Sequence, residues 1–438
     1  HHWLALAKIS RIPNILNQKN MFVHRIKTLK TENATIFALP TSVREVVSWY
    51  GSFYSFPEGN YPDPMLLQEL MVAMLDKGTL YRDKFLISDE LESRGAQLQL
   101  FSDGLRIGFF GRALKTDLPA VLGVLGEQLN APQFDPGEFE KLRLQTISAR
   151  QRSLSNTRYR AELALNHALY PDNHPNYNTS AEQEIALLED MKLEQIRAYH
   201  QKHVSANQLI ISTAGDVDPD GFASMVDQVF LGWKVENRTS TFATLGNINP
   251  GKTVTALKDR QNLDVMMGIP IPVTTLHPDY LALYLATYIL GGNFSARLMN
   301  TVRDEQGLTY GIGASLSGVT QEYAGYFQIY VTLSQENLGK GITATEEQLR
   351  KWVQEGITES ELAEKKTTIA GKYQVEMATT HGLARAMQQN AEEGYALDML
   401  DDYVPKIEAL TADEVNRVIR KYINPEDIHL SIAGTLPE

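Results

Sequence analysis

Apolar and polar positions alternate along several short stretches of this chain. TIFALP (35–40), REVVSWYGSF (44–53) and RIGFFGRAL (106–114) predict strands in its first half. LDVMMGIPIP (263–272), GIGASLSG (311–318) and GYFQIYVTL (325–333) predict them in the second. Helical periodicity fills the intervals, and the two patterns recur together. Residues 191–215, MKLEQIRAYHQKHVSANQLIISTAG, align without a gap on residues 410–434, LTADEVNRVIRKYINPEDIHLSIAG, at an offset of 219. Ile196 falls on Val415, Lys202 on Lys421, Leu209 on Ile428, and Ala214–Gly215 on Ala433–Gly434. Each copy predicts an amphipathic helix, a polar turn and an apolar strand. A second pair, FDPGEFEKLRLQTISARQ (134–151) and ITESELAEKKTTIAGKYQ (357–374), opens two long helices behind polar N-caps, with Glu138 opposite Glu361.

The repeat predicts an α+β fold of two duplicated domains of about 200 residues. Each is expected to be an antiparallel-rich sheet with helices packed on one face. The boundaries read from the pattern are 25–235 and 253–438, with a polar, turn-rich linker at 236–252. Residues 1–24 read as an N-terminal connector or partner-docking arm.

Composition narrows the function. At 438 residues the chain exceeds one ordinary core, and 43% hydrophobic with 21% charged residues is typical of a globular protein. The net charge of −12 argues against nucleic-acid and anionic-membrane partners. With no cysteine there is no disulfide framework, thiolate nucleophile or cysteine-based zinc site. No apolar run approaches the roughly 20 residues of a membrane helix, so membrane insertion is not expected. The first residues lack a signal-peptide pattern and an initiating Met, and His1 and His2 read as a tag remnant with no function.

The stretch RDEQGLTYG (303–311) invites two readings. Structurally, Arg303 sits in a last helical turn, where a cation gains about 0.3–1 kcal/mol from the macrodipole. Gly307 is then the residue that ends the helix at positive φ, and Tyr310 is a half-buried strand aromatic. Chemically, a tyrosine O–H suits an oxyanion of peptide hydrolysis, and losing one such donor costs about 10²–10³ in rate. A guanidinium suits substrate carbonyls. The histidines offer little: His200 and His203 share a helix face but lack a carboxylate to complete a metal site, and read as solvated or interface residues. His167 and His174 flank a turn-rich loop expected to pack on the helix behind it. His24, His277, His381 and His429 are isolated.

GGNFSARL (291–298) followed by R-x-x-x-G-L-x-Y, LDKGT (75–79), FDPGEFEK (134–141) and HPNYN (174–178) occur in an order that resembles the pitrilysin/insulinase-type zinc peptidases, the inverzincins. The resemblance implies that the two domains form half of a clamshell. In that family one half bears H-x-x-E-H and a distant Glu; the other contributes an Arg and a Tyr seven residues apart. Arg303 and Tyr310 match that spacing, and Gly291, Gly292 and Ser295 become second-tier substrate-binding positions.

No H-x-x-E-H occurs in the chain. Counting back from Gly78 and Thr79 puts the first His position on Glu69, the Glu base on Val72 and the second His on Ala73. The third-ligand region reads QTISARQ, with Ser148 and Ala149. Catalytic zinc needs three protein donors, so this chain is expected to bind none and to leave zinc to a partner. The resemblance thus implies the non-zinc half of a bipartite zinc metalloendopeptidase, inactive alone. It would supply Arg303 and Tyr310 to an H-x-x-E-H subunit or N-terminal half acting on unfolded peptides. The alternative is a catalytically silent structural subunit of the same fold, as in the core proteins of respiratory complexes. An added substrate strand is the expected binding mode, although AQLQLFSDGLRIGFF (96–110) is apolar enough to suggest packing at its edge. The resemblance favours the bacterial periplasm or envelope over the cytoplasm.

Overall fold

The computed structural model describes residues 21–55, 62–238 and 242–437. Most of the expected N-terminal arm, including His1 and His2, and part of the linker lie outside the described residues.

The first half contributes β1 (Lys27–Lys30), β2 (Thr35–Pro40), β3 (Val46–Tyr54), β4 (Gln97–Ser102), β5 (Arg106–Leu114) and β7 (Ile210–Gly215), with a two-residue ladder of β6 (Ala206–Asn207) and β8 (Val235–Glu236) beside them. The second contributes β9 (Gly251–Ala256), β10 (Asn262–Pro270), β11 (Thr309–Ser317), β12 (Tyr326–Ser334) and β13 (His429–Gly434). The sheet orders are β1-β2-β7-β3-β5-β4 and β9-β13-β10-β12-β11. Apart from the extra β1 they correspond strand for strand in order and pairing. In each, one parallel pair (β2 with β7, β9 with β13) sits in an otherwise antiparallel sheet.

Helices α1 (Pro64–Leu75), α2 (Lys84–Glu92), α3 (Leu118–Asn130), α4 (Pro136–Ser153), α5 (Thr157–Leu169), α6 (Ala181–Asp190), α7 (Leu193–His203) and α8 (Pro219–Val229) belong to the first half. Helices α9 (Tyr280–Gly291), α10 (Leu338–Glu355), α11 (Glu359–Met377), α12 (Thr380–Glu392), α13 (Met399–Ala409) and α14 (Ala412–Tyr422) belong to the second. The bounds of α7 and β7 differ from those of α14 and β13 by 219 throughout, the offset read from sequence. The expected N-caps are present: the Asp135 side chain accepts from Glu138 N at the start of α4, and Thr358 and Glu361 form a capping box on α11.

Most helices pack on one face of their own sheet. Strand β3 sends Val47, Trp49 and Phe53 into one core, and β10 sends Leu263, Val265, Met267 and Ile269 into the other. The opposite faces are covered by an exchange. Helix α12 lies on the first sheet: Thr380 meets Ser48 at 2.9 Å, His381 meets the Tyr50 hydroxyl at 2.8 Å, and Glu392 accepts from Ser52. Helix α5 lies on the second sheet, where Thr157 donates to Asp264 at 2.6 Å and Leu165 covers Gly268, which has no room for a Cβ. Strands β3 and β10 are therefore buried on both faces, which explains their near-continuous burial. The exchange joins the halves through the clusters of Leu39, Met377, Leu383 and Met387 and of Leu165, Leu169, Met266 and Tyr326.

Strand β4 is an edge strand. Its apolar residues are explained within the sheet: the Phe101 ring lies over Gly108, where a Cβ would come within 2.2 Å of it.

Candidate functional site

Helix α9 ends at Gly291 against the edge strand β11. A Cβ there would stand 2.2 Å from the Ala314 nitrogen, so glycine is what allows the approach. At Gly292 a Cβ would meet Tyr288 at 2.4 Å. The chain then forms a π-helical segment, Met299–Glu305, with Arg303 in its last turn. Such widened turns are rare and gather at functional sites. Gly307 has φ 63° and donates to Arg303 O at 3.0 Å, as the sequence predicts for a helix-ending glycine.

Two residues later the ladder slips. Thr309 pairs with Leu333 and Gly311 with Thr332, leaving Tyr310 as the extra residue of a β-bulge. The Thr309 hydroxyl accepts from Gly311 N at 3.1 Å and holds the bulge. Bulges re-aim side chains, and Tyr310 is 93% exposed. The half-buried strand aromatic is thus the reading the geometry corrects. Arg303 is also solvent-facing, its guanidinium reaching Asp304 at 3.2 Å with 38% of the side chain exposed. Among the described residues, the Tyr310 hydroxyl makes no hydrogen bond. The Tyr310 hydroxyl is open to a partner outside the chain, and the Arg303 guanidinium is held only by its exposed neighbour Asp304.

Two clamps tie this segment to α11. Lys365, 1% exposed, donates from Nζ to Ser295 Oγ at 2.6 Å, to Ser295 O at 3.0 Å and to Glu364 at 2.7 Å. Arg297 makes a two-pronged pair with Glu361 at 2.7 and 2.8 Å and donates to Gly356 O at 2.9 Å. Burial would raise the Glu361 carboxyl, but Arg297 and Thr358 outweigh it and hold it below its usual range. The Ser295 hydroxyl is committed to this clamp. Sequence reasoning missed Lys365 and the Arg297–Glu361 pair. Arg297 stood in the GGNFSARL stretch and was readable; Lys365 looks like any solvated helix lysine.

The first half is different where the metal would be. Val72 is buried in the apolar core, Ala73 offers no donor, and Glu69 is occupied. Arg150, two residues beyond Ser148 on α4, reaches Glu69 at 2.7 Å and also pairs with Glu184 of α6. Burial pushes the Glu184 carboxyl up against the pull of that guanidinium. Ser148 spends its hydroxyl on Leu144 O at 2.9 Å. A guanidinium shared by two carboxylates fills the region, so these residues do not fit zinc. Among the described residues, no group of three His, Asp or Glu is arranged to hold a metal ion.

His203 is buried and His200 half-buried rather than solvated. His200 bonds Leu129 O at 2.8 Å, while the His203 ring lies tilted 4.7 Å from Tyr199 and burial pulls its pKa down to about 4. The loop after α5 packs as predicted, with His174 held 4.2 Å from Tyr170 and likewise lowered to about 4 by burial. Among the described residues no helix is long and apolar enough to cross a membrane.

Comparison with known proteins agrees with this layout. Residues 69–182 match the family described as Insulinase (Peptidase family M16), and residues 190–369 match the Peptidase M16 inactive domain. A Helicobacter pylori protein named non-peptidase homolog YmxG is 22% identical over 370 residues, covering 84% of each chain. An uncharacterized zinc protease of Mycobacterium tuberculosis is 22% identical, covering 80% of each. The crystal structure of a peptidase M16 inactive domain from Pseudomonas fluorescens matches with a TM-score of 0.83 at 21% identity, covering 94% of this chain and 98% of that one. A protease from Helicobacter pylori matches with a TM-score of 0.81 at 15% identity, covering 93% and 99%. The duplicated α+β fold and the two adjoining matches, running from Glu69 to Ile369, agree: this chain belongs to the insulinase-type (M16) peptidase family.

Proposed function

We propose that this chain is the non-zinc half of a bipartite M16 metalloendopeptidase, working with a subunit or half that carries H-x-x-E-H. The observation that carries the reading is the contrast at Tyr310. A phenol projected by an edge-strand bulge, 93% exposed, follows a partly exposed Arg303 by seven residues in a chain whose Glu69 is tied up in an ion pair and whose Val72 is buried in the core.

In the assembled enzyme the metal chemistry belongs to the partner. Tyr310 donates its O–H to the oxyanion that develops on the scissile carbonyl, a contact strongest in the transition state. Arg303 donates its fork of N–H groups to neighbouring peptide carbonyls of the substrate. An unfolded peptide lies along the free edge of β11, where backbone pairing binds without sequence specificity. The glycines at 291 and 292 keep α9 close to that edge, and the Lys365 and Arg297 clamps fix the segment carrying Arg303. The sequence units 25–235 and 253–438 form one lobe through the exchanged helices.

The test is reconstitution. The chain isolated with its native partner cleaves an unfolded reporter peptide; with Arg303→Ala or Tyr310→Phe the same complex assembles but cleaves far more slowly. Full activity of both variants contradicts the assignment.

A further inference from the structure

A cavity of about 340 Å³ opens where α9, α11, α12 and α13 meet. Its walls carry five tyrosines, Tyr280, Tyr284, Tyr373, Tyr395 and Tyr403, and two carboxylates, Glu376 and Glu393. No lysine, arginine or histidine lines it among the described residues. We infer that this cavity is a binding site for an organic cation, an ammonium or guanidinium group that packs against the tyrosine-lined wall and faces the two carboxylates.

Two of the tyrosines have their hydroxyls engaged elsewhere: Tyr373 donates to Leu400 O at 2.8 Å and Tyr395 donates to Thr275 O. The Tyr373 and Tyr403 rings stand 4.9 Å apart, and those of Tyr280 and Tyr284 6.5 Å apart. The negative faces of such rings attract cations most when water is excluded.

The carboxylates supply the charge. Glu393 accepts from Thr275 at 2.8 Å and has no cationic partner among the described residues. Burial pushes its carboxyl up to about 7, with Glu322, Glu392 and Asp103 also opposing its ionisation. The cation nearest Glu376 is Arg385, 4.0 Å away, and both side chains are largely exposed. A bound cation would relieve the desolvated charge of Glu393. The volume lies at the small end of ligand pockets, which suits an amine or a side chain.

The site is separate from the Arg303–Tyr310 edge. Val319 lines the cavity beyond the far end of β11, and the seven residues of that strand from Tyr310 to Ser317 span about 23 Å. The inference therefore does not depend on the peptidase reading. The cation has two possible sources, a free polyamine or a lysine or arginine side chain of a peptide.

Calorimetric titration of the full chain distinguishes them, using tetramethylammonium, spermidine and N-acetyl-lysine amide at pH 8. At least one binds, and the neutral isostere 3,3-dimethyl-1-butanol binds about tenfold more weakly than the cation. Preference for spermidine identifies a free amine; preference for the lysine derivative identifies a side chain. Glu393→Gln, which keeps an acceptor for Thr275, and Tyr373→Leu each weaken binding about tenfold. Absence of binding by all three cations, equal binding of the isostere, or binding unaffected by Glu393→Gln overturns the inference.

Discussion

The two halves place the same three pieces at corresponding positions: a buried helix, a short helical segment and an edge strand. In the first half these are α1, α2 and β4; in the second they are α9, the π-helical segment and β11. Their polar groups have opposite fates. Glu69 is neutralised by Arg150, and Val72 has joined the core. Tyr310 remains exposed and Arg303 partly so, and the surrounding fold holds them there with a bulge, a widened turn and two side-chain clamps. A site free of functional demand relaxes toward internal pairing, because unpaired polar groups near a core are costly. A phenol left in water by a distorted strand has no such internal reason, so the contrast separates a closed site from a presented one.

The largest expected effect is on the presented side. Tyr310→Phe in the partnered enzyme lowers kcat by about 10²–10³, while the unfolding midpoint stays unchanged because the side chain is solvent-exposed. Equal loss of stability and activity breaks the comparison. Next come the clamps. Lys365→Met removes three hydrogen bonds of a buried cation and destabilises the chain by about 2 kcal/mol, measured by urea unfolding. It should also raise hydrogen exchange at residues 295–305, which an ordinary surface lysine would not do.

A third prediction uses pH. His174 and His203 have folded pKa values near 4, below the ordinary 6.5. Between pH 6.5 and 4 the unfolded chain takes up protons that the folded chain refuses, so stability falls as the pH drops through that window. Glu393, raised to about 7, contributes the opposite slope between its usual 4.5 and 7 and offsets part of the loss. His203→Gln flattens the profile between pH 6.5 and 4; an unchanged slope contradicts the burial account. The smallest effect belongs to the closed site. Glu69→Ala costs under about 1 kcal/mol, because that carboxylate is half-exposed and Glu184 still holds Arg150.

The duplication was readable because each copy keeps its helix, turn and strand in one local segment. The bounds of α7–β7 and α14–β13 repeat at the offset read from sequence. The exchange of α5 and α12 was not readable. Amphipathicity shows that a helix has an apolar face, and nothing local says which sheet receives it. Ser48 and Ser52 accordingly look like a solvated strand face, yet they meet Thr380 and Glu392 more than 300 residues away. At the site, Arg303 and Tyr310 were singled out by the resemblance and its seven-residue spacing. The Arg150 pairing was invisible because its carboxylates lie 81 and 34 residues away. The exposure of Tyr310 escaped prediction too, since a one-residue bulge leaves no mark on strand alternation.

The central claim is that this chain completes a peptidase it cannot form alone. Cleavage of one unfolded reporter peptide, by the purified chain and by the complex recovered from its native host, tests it most directly. The account predicts no cleavage and no stoichiometric zinc for the chain alone, with cleavage appearing when an H-x-x-E-H polypeptide accompanies it. Zinc-dependent cleavage by the isolated chain would contradict it.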